Sequence, residues 1–256
     1  MLIDTHAHLY LEQFKEDISD VINRAKDSNV TKIFLPNIDS GSVEDLHRLC
    51  ASFPDVCLPL MGLHPCSVKE NYKEELQQVE KLLKEREYWG VGETGIDLYW
   101  DVSFKEEQIE AFEFQINLAK EHDIPVIIHS RDSLDLTIQI IEDMQDGHLA
   151  GVFHCFNGSV NQARKVLDSG FYMGLGGVIT FKNAKLDDMI NFIPMSSIVL
   201  ETDAPYLSPV PYRGKRNESA YLAHVVDKIS EVKGIDKATI AEVTTQNAKI
   251  LYRMTD

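Results

Sequence analysis

Residues 2–8 read LIDTHAH, a short apolar run that leads into two histidines, His6 and His8. Side chains two apart on a strand share a face, so these two imidazoles can point into one cavity. Apolar runs that end in a potential metal ligand recur along the chain. This recurrence, rather than the first run alone, predicts the fold.

The chain alternates between strand-like apolar runs and helix-like amphipathic segments. The strand candidates are residues 2–3, 30–35, 56–61, 89–91, 125–128, 151–153, 171–174 and 197–200. Eight strand–helix units within 256 residues predict an α/β fold, a (β/α)8 TIM barrel, with residues 1–256 as a single domain. An open doubly wound sheet stays an alternative because periodicity does not show closure. Neither a dinucleotide fingerprint nor a phosphate-binding P-loop is present in the sequence.

Composition limits the possible functions. The chain has 25 basic and 41 acidic residues and a formal charge of −16, which argues against broad attraction to nucleic acid or anionic membranes. The four cysteines form no CxxC pair and predict reduced thiols in a cytoplasmic protein. Because the N-terminus lacks a cationic signal region and no apolar run approaches about 18 residues, we expect no membrane association.

Potential metal ligands follow five of the predicted strands, and in a barrel all of these strand ends meet at one mouth. The ligands are His6, His8, Glu93, His129, His154 and Asp203. Burying six ionisable groups together without a metal would cost many kcal/mol. Six ligands exceed one tetrahedral site, so we expect two divalent cations, with Glu93 able to bridge ions about 3.5–4 Å apart. Nitrogen and oxygen donors suit zinc, manganese or iron, and magnesium less comfortably.

Seven motifs make the resemblance to a family specific. They are DTHAHL from residue 4, GLHP at 62–65, GETGID at 92–97, HSRD at 129–132, HCFNGS at 154–159, ETDAPYL at 201–207 and YRGKRNE at 212–218. In this order they resemble the TatD family of metal-dependent deoxyribonucleases over nearly the whole chain. One departure is Ser219, where the family often has proline after RGKRNE.

The resemblance implies a barrel with two divalent ions, Mg²⁺, Mn²⁺ or Zn²⁺, at its mouth. It assigns one ion to His6, His8, Glu93 and Asp203, and the other to Glu93, His129 and His154. The implied activity is metal-supported hydrolysis of phosphodiesters in DNA, with trimming of single strands from an end. Two bound cations would give an acidic protein a local cationic focus for this polyanionic substrate.

Further residues are candidates for catalysis and substrate binding. We expect Asp203 to accept a proton from the attacking water and to return it to the leaving oxygen. His64 and Arg131 follow predicted strands and are candidates for phosphate contacts. Arg213, Lys215 and Arg216 form a cationic loop, in which Arg213 is the favoured phosphate contact. Glu201 and Asp4, two residues before predicted ligands, are expected to support them.

Two alternative functions remain open from the sequence. One is a hydrolase of another ester or amide on the same barrel, such as an aminoacyl-tRNA deacylase. The other is a barrel that has lost catalysis and serves as a binding module, which would be expected to lack a ligand. Tyr99 and Trp100 could stack a base, although packing at the rim is the simpler interpretation. No obligatory protein partner is evident.

Overall fold

The computed structural model describes residues 1–254, in which eight parallel strands alternate with helices. The strands β1–β8 are Leu2–Asp4, Val30–Pro36, Cys57–Leu60, Val91–Asp97, Val126–Arg131, Gly151–Phe153, Tyr172–Leu175 and Ile198–Leu200. The helices α1–α9 are Ile18–Asp27, Val43–Ser52, Tyr72–Glu85, Lys105–His122, Leu134–Met144, Val160–Asp168, Asp187–Phe192, Leu222–Lys233 and Lys237–Leu251. Helices α1 to α8 each follow the strand of the same number, and α9 follows α8.

Hydrogen bonds close the strands into a barrel. Strands β1 to β3 pair in order, as do β4 to β8. Met61 joins these two groups, since its N–H donates to Gly90 O over 3.1 Å and its carbonyl accepts from Gly92 N over 2.9 Å. The Thr5 N–H closes the other gap by donating to Leu200 O at 2.9 Å, just beyond β1. The predicted (β/α)8 barrel is therefore confirmed, and the open-sheet alternative is excluded.

Two apolar layers hold the barrel together. The larger one lies between strands and helices and includes Val126 and Ile128. The smaller one fills the barrel with side chains from six strands, among them Ile127, Val152 and Val199. Because strand side chains alternate, the residues two positions after these interior side chains also face inward. This alternation places polar side chains directly above the apolar side chains that fill the barrel.

Side-chain caps start several of the outer helices. The Ser159 side chain accepts from Gln162 N, and the Gln162 side chain accepts from Ser159 N, which forms a complete capping box at α6. Asp236 caps α9 by accepting from Thr239 N. Within residues 1–254, none of the helices is both long and apolar enough to cross a membrane.

Strand β4 is longer than its apolar run. The sequence predicts a strand over 89–91, whereas β4 continues through GETGID to Asp97 with all seven of its residues buried. Gly95 pairs in register with His129 of β5. Gly95 has φ +141°, and a Cβ there would lie 2.0 Å from His129 O. Only glycine fits this close approach of two backbones.

We expect Gly95→Ala to destabilise the barrel by about 3 kcal/mol or more, because both the backbone angle and the contact with β5 would have to change. Gly41→Ala is the matched control, since its Cβ would come no closer than 3.3 Å to a side chain. Chemical denaturation of both variants measures the difference. Equal stabilities would contradict the assigned constraint.

Candidate metal centre

The six predicted metal ligands come together where the strands end. In β5, the interior position of Ile127 is followed two residues later by His129. In the same way Val152 of β6 leads to His154, and Val199 of β8 leads to Glu201. The fold thus stacks a ring of ionisable side chains directly on the apolar interior of the barrel.

The Glu93 carboxylate lies at the centre of this ring and is 2 % exposed. Its Oε2 lies 3.0 Å from His6 Nε2 and 3.3 Å from His8 Nε2. Its Oε1 lies 2.8 Å from His129 Nδ1 and 3.5 Å from His154 Nε2. Each oxygen therefore has different nearest imidazoles, as expected of a bridging carboxylate, although ligand atoms of His6, Glu93 and His154 also lie within 4.8 Å of one another.

The first set contains His6, His8 and Asp203. The Nε2 atoms of His6 and His8 are 3.2 Å apart, and Asp203 Oδ1 lies 3.9 and 3.7 Å from them. Ligand atoms of these three side chains all lie within 4.8 Å of one another. Asp203 has a left-handed backbone with φ +58°, and its N–H donates to His6 O over 2.8 Å. Strand β1 and the turn after β8 thus set the position of this carboxylate together.

Tyr10 determines which nitrogen of His8 carries the proton. The Tyr10 hydroxyl donates to Pro36 O over 2.6 Å, so it must accept from His8 Nδ1, 3.1 Å away. In a neutral His8 the lone pair is then on Nε2, the nitrogen that faces Glu93 and Asp203. This is the tautomer that a metal ligand requires, and the sequence analysis did not identify Tyr10.

Asp97 is a second residue that the sequence analysis missed. Because Gly95 pairs with His129, the imidazole of His129 lies between Glu93 and Asp97. Asp97 Oδ2 is 3.0 Å from His129 Nε2, opposite the nitrogen that faces Glu93. Asp97 lies four residues after Glu93, so the two side chains face the same side if the segment is a strand. This spacing could have indicated Asp97, but the sequence GETGID does not resemble a strand.

Glu201 lies beside His154, in the position that the sequence predicts for a supporting residue, as an ion-pair contact and not as a hydrogen bond. Its Oε1 lies 3.0 Å from His154 Nδ1 and accepts from Cys155 N over 2.6 Å. Gly174 makes room for this carboxylate, because a Cβ there would meet Glu201 Oε2 at 2.1 Å. Carboxylate partners of this kind orient an imidazole so that its other nitrogen is free to bind a metal.

Asp4 lies beneath the first set and is fully buried. Its oxygens accept from Thr202 N over 2.9 Å and from the Thr202 hydroxyl over 2.6 Å, and from His6 N over 3.3 Å. Burial raises the pKa of Asp4 to about 7, against the effect of these hydrogen bonds. Asp4 thereby links the segment that carries His6 to the segment that carries Asp203.

Electrostatics in the ring reflect crowding of like groups. Burial, reinforced by His154, lowers the pKa of His6 to about 4. Burial opposes ionisation of Glu93, yet the surrounding imidazoles, His6 first, hold the pKa of that carboxyl well below its usual range. Burial lowers the pKa of His154, but the neighbouring carboxylates Glu201 and Glu93 together raise it by more, and the resulting pKa is about 10. A metal at His154 would compete with this proton.

His64, a predicted substrate contact, lies directly beside the Glu93 carboxylate. Its Nδ1 accepts from Cys66 N over 3.1 Å, and its Nε2 is 3.4 Å from Glu93 Oε1. Ligand atoms of His64, Glu93 and His129 lie within 4.8 Å of one another. The imidazole therefore borders the second set.

The predicted cationic contacts lie outside the ring. The Arg131 guanidinium is over the ring of Tyr99 at 3.9 Å, and within residues 1–254 it forms no ion pair with Asp132 or Asp135. Arg213 is exposed and lies 3.7 Å from the Phe181 ring centroid.

Arg216, in contrast, is engaged within the protein. Its guanidinium donates to both oxygens of Asp17 over 2.8 and 2.7 Å. Of the three cations in the loop, Arg216 is thus tied to helix α1 and its surroundings, which the charge pattern alone did not indicate. Lys215 Nζ lies 5.7 Å from the ring centroid of Tyr212.

Comparison with known proteins identifies the family. The TatD related DNase family matches residues 3–253. The chain belongs to this family. An uncharacterized metal-dependent hydrolase of Bacillus subtilis, YabD, is 38 % identical, with 99 % of this chain and 100 % of that protein covered. The crystal structure of YJJV, a TatD homologue from Escherichia coli K12, has a TM-score of 0.93 and 30 % identity over 99 % of this chain and 98 % of that one.

Another TatD relative carries a more specific name. The 3'-5' ssDNA/RNA exonuclease TatD of Salmonella typhimurium is 29 % identical, with 99 % of both chains covered. TatD family membership identifies this chain as a metal-dependent hydrolase. The donor set fits divalent cations, because imidazole and carboxylate donors converge while Tyr10, Asp97 and Glu201 occupy the far sides of three imidazoles.

We expect Tyr10→Phe to lower affinity for Mn²⁺ about 10- to 100-fold, because His8 loses the partner that fixes its tautomer. Calorimetric titration of metal-stripped protein measures this effect. Tyr88→Phe is a matched control, since the Tyr88 hydroxyl meets His47 Nε2 over 2.8 Å outside the ring. If both variants bind Mn²⁺ as the parent does, Tyr10 has no role in preparing His8.

Proposed function

We propose that this TatD family member is a divalent-metal-dependent phosphodiesterase that removes nucleotides from an end of single-stranded DNA. The observation that carries the proposal is the position of the Glu93 carboxylate between the histidines. Its Oε2 lies 3.0 Å from His6 Nε2, and its Oε1 lies 2.8 Å from His129 Nδ1. Two-ion centres of this kind suit in-line displacement at phosphorus. The name of the Salmonella relative, a 3'-5' ssDNA/RNA exonuclease, supports a nucleic-acid substrate.

Two divalent cations, Mg²⁺, Mn²⁺ or Zn²⁺, are the proposed cofactors. His6, His8, Glu93 and Asp203 would hold one, and Glu93, His129 and His154 the other. When bound, the cations supply charge neutralisation and lower the pKa of water. The proximity of His64 Nε2 to Glu93 makes His64 a neighbour of the second set, and we retain it as a contact for substrate phosphate.

Asp203 is the proposed catalytic residue. Its side chain is 15 % exposed, whereas that of Glu93 is 3 % exposed, so Asp203 meets the solvent side of the ring. A carboxylate there can accept a proton from the attacking water and return it to the leaving oxygen. The buried carboxylates Glu201 and Asp97 are committed to His154 and His129, which leaves them poorly suited to this task.

Arg131 and Arg213 are the proposed contacts for substrate phosphates. Stacking on an aromatic ring uses the face of a guanidinium and leaves the N–H groups at its edge free to donate. Arg131 ends β5 and Arg213 lies in the long connection between β8 and α8, and both positions belong to the mouth of the barrel, where a polyanion would pass. We further propose that residues 1–256 act as one domain in the cytoplasm, where the four free thiols would stay reduced.

Asp203→Asn should lower the rate on a single-stranded oligodeoxynucleotide at saturating Mn²⁺ by at least about 10²–10⁴-fold, because the proton acceptor is removed. Nucleotide release is measured beside hydrolysis of an aminoacyl-tRNA and of a cyclic amide by the parent protein. Faster cleavage of either of these would favour an ester or amide hydrolase instead. A near-normal DNA rate in the variant would exclude the role of Asp203.

The second test of the proposal is the metal content. We expect about two equivalents of Mn²⁺ per chain in the reconstituted parent, and one or fewer in Glu93→Gln, because the amide cannot bridge two cations as a carboxylate does. The exposed Glu113→Gln in α4 is the control and should keep both equivalents. Full activity at one equivalent in the parent would contradict a two-ion centre.

A further inference from the structure

Two large aromatic side chains stand exposed beside the metal centre. Tyr99 is 54 % exposed and Trp100 is 69 % exposed, in the segment that joins β4 to α4. Their ring centroids are 4.9 Å apart and their planes are perpendicular, at 89°. Exposure of two adjacent aromatics is costly in water, so such a pair commonly marks a contact surface.

The segment that carries this pair is held at both ends. Asp97 Oδ1 accepts from Tyr99 N over 3.0 Å and from Trp100 N over 3.2 Å. On the other side, Asp101 pairs with Lys69 over 2.9 Å, and its second oxygen accepts from Ser103 N. The rings are thus presented by a fixed turn, and their exposure is built into the fold.

Asp97 also connects the aromatic pair to the centre. While Oδ1 holds the turn, Oδ2 of the same carboxylate lies 3.0 Å from His129 Nε2. One side chain therefore separates the backbone of Tyr99 and Trp100 from a proposed metal ligand. The turn that presents the aromatic pair is therefore attached to the candidate metal centre through this one carboxylate.

The guanidinium of Arg131 packs against the aromatic pair. Its guanidinium carbon lies 3.9 Å from the Tyr99 ring centroid and 5.4 Å from that of Trp100. Arg131 also lines a cavity of about 750 Å³ that includes Leu98, Ser130 and Asn157. Aromatic faces, a guanidinium and an adjoining polar cavity are the parts from which single-strand binding sites are made.

We propose that Tyr99 and Trp100, backed by Arg131, form a stacking platform for an unpaired base of the strand being cleaved. This inference rests on the proposed phosphodiesterase function and adds the reason for a single-strand preference. Bases inside a duplex are already stacked on both faces, so an unpaired base is the better ligand for Trp100, and stacking accepts any base because every base has a π-face.

The test follows binding of an octathymidylate and of the same strand with one abasic end residue. In an Asp203→Asn background, Trp100→Ala should weaken binding of the octathymidylate about tenfold, and Tyr99→Ala should weaken it as well. Removing the end base should weaken binding to the parent but have little further effect on Trp100→Ala. Trp100→Phe should retain most of the affinity, and Val102→Ala, in the same turn, is the control.

Tryptophan emission gives an independent readout. The chain has two tryptophans, so Trp89→Phe leaves Trp100 as the single reporter, and stacking of a base should quench it. Trp89 is only partly exposed and meets Phe34 edge-on, with ring centroids 6.2 Å apart, away from the platform.

Three outcomes would overturn the platform. Unchanged affinity in both alanine variants, or unquenched Trp100 emission at saturating oligonucleotide, would show that no base stacks there. A change in sedimentation in the alanine variants would mean that a second copy of the chain covers the pair. If the parent cleaves oligonucleotides, these results leave the proposed function intact; if the parent neither binds nor cleaves them, both proposals fail.

Discussion

Glu93 places a buried carboxylate where imidazoles from four segments of the barrel converge. Removing a charge from water costs several kcal/mol unless opposite charge compensates it. The histidines supply that charge unevenly, because burial lowers the pKa of His6 to about 4, whereas the carboxylates around His154 raise its pKa to about 10. His8 directs its proton on Nδ1 to Tyr10, which in the neutral imidazole leaves the lone pair of Nε2 toward the same oxygen of Glu93. A divalent cation held by these donors would compensate the carboxylate on the side of the neutral imidazoles, and the remaining residues of the site support the donors.

The supporting contacts show why the whole barrel is needed for the site. Tyr10 holds His8 from the segment after β1, Asp97 holds His129 across the β4–β5 pair, and Glu201 reaches His154 from the end of β8. The contacts of Asp97 and Glu201 depend on the register of neighbouring strands, whereas the Tyr10–His8 contact is local and depends on β2 only through Pro36 O, which accepts from the Tyr10 hydroxyl. A local peptide could carry the His-x-His motif and Tyr10, but only the closed barrel brings Asp97 and Glu201 to the far sides of His129 and His154.

The sequence predicted the barrel and the convergence of six ligands because both depend on local patterns. An apolar interior position followed two residues later by a histidine is visible in the chain, as at Ile127 and His129. The partners of the ligands are less visible, since they depend on register. Asp97 could be paired with His129 only once Gly95 was known to lie beside it. The burial of polar GETGID in a strand likewise follows from tertiary structure, which outweighs the low strand propensity of these residues.

The acidic character of the chain explains how a polyanion would have to be held. With a formal charge of −16, the chain as a whole does not attract a polyanion. Salt screening also limits the attraction exerted by each basic side chain to a distance of roughly 8 Å. Several basic residues near the mouth are also committed to carboxylates, as Arg216 is to Asp17 and Arg24 to Glu218. Affinity must then come from short-range contacts at the centre and from interactions that need no net charge. Stacking on exposed aromatic rings is such an interaction, and it would let an acidic protein bind a nucleic-acid strand.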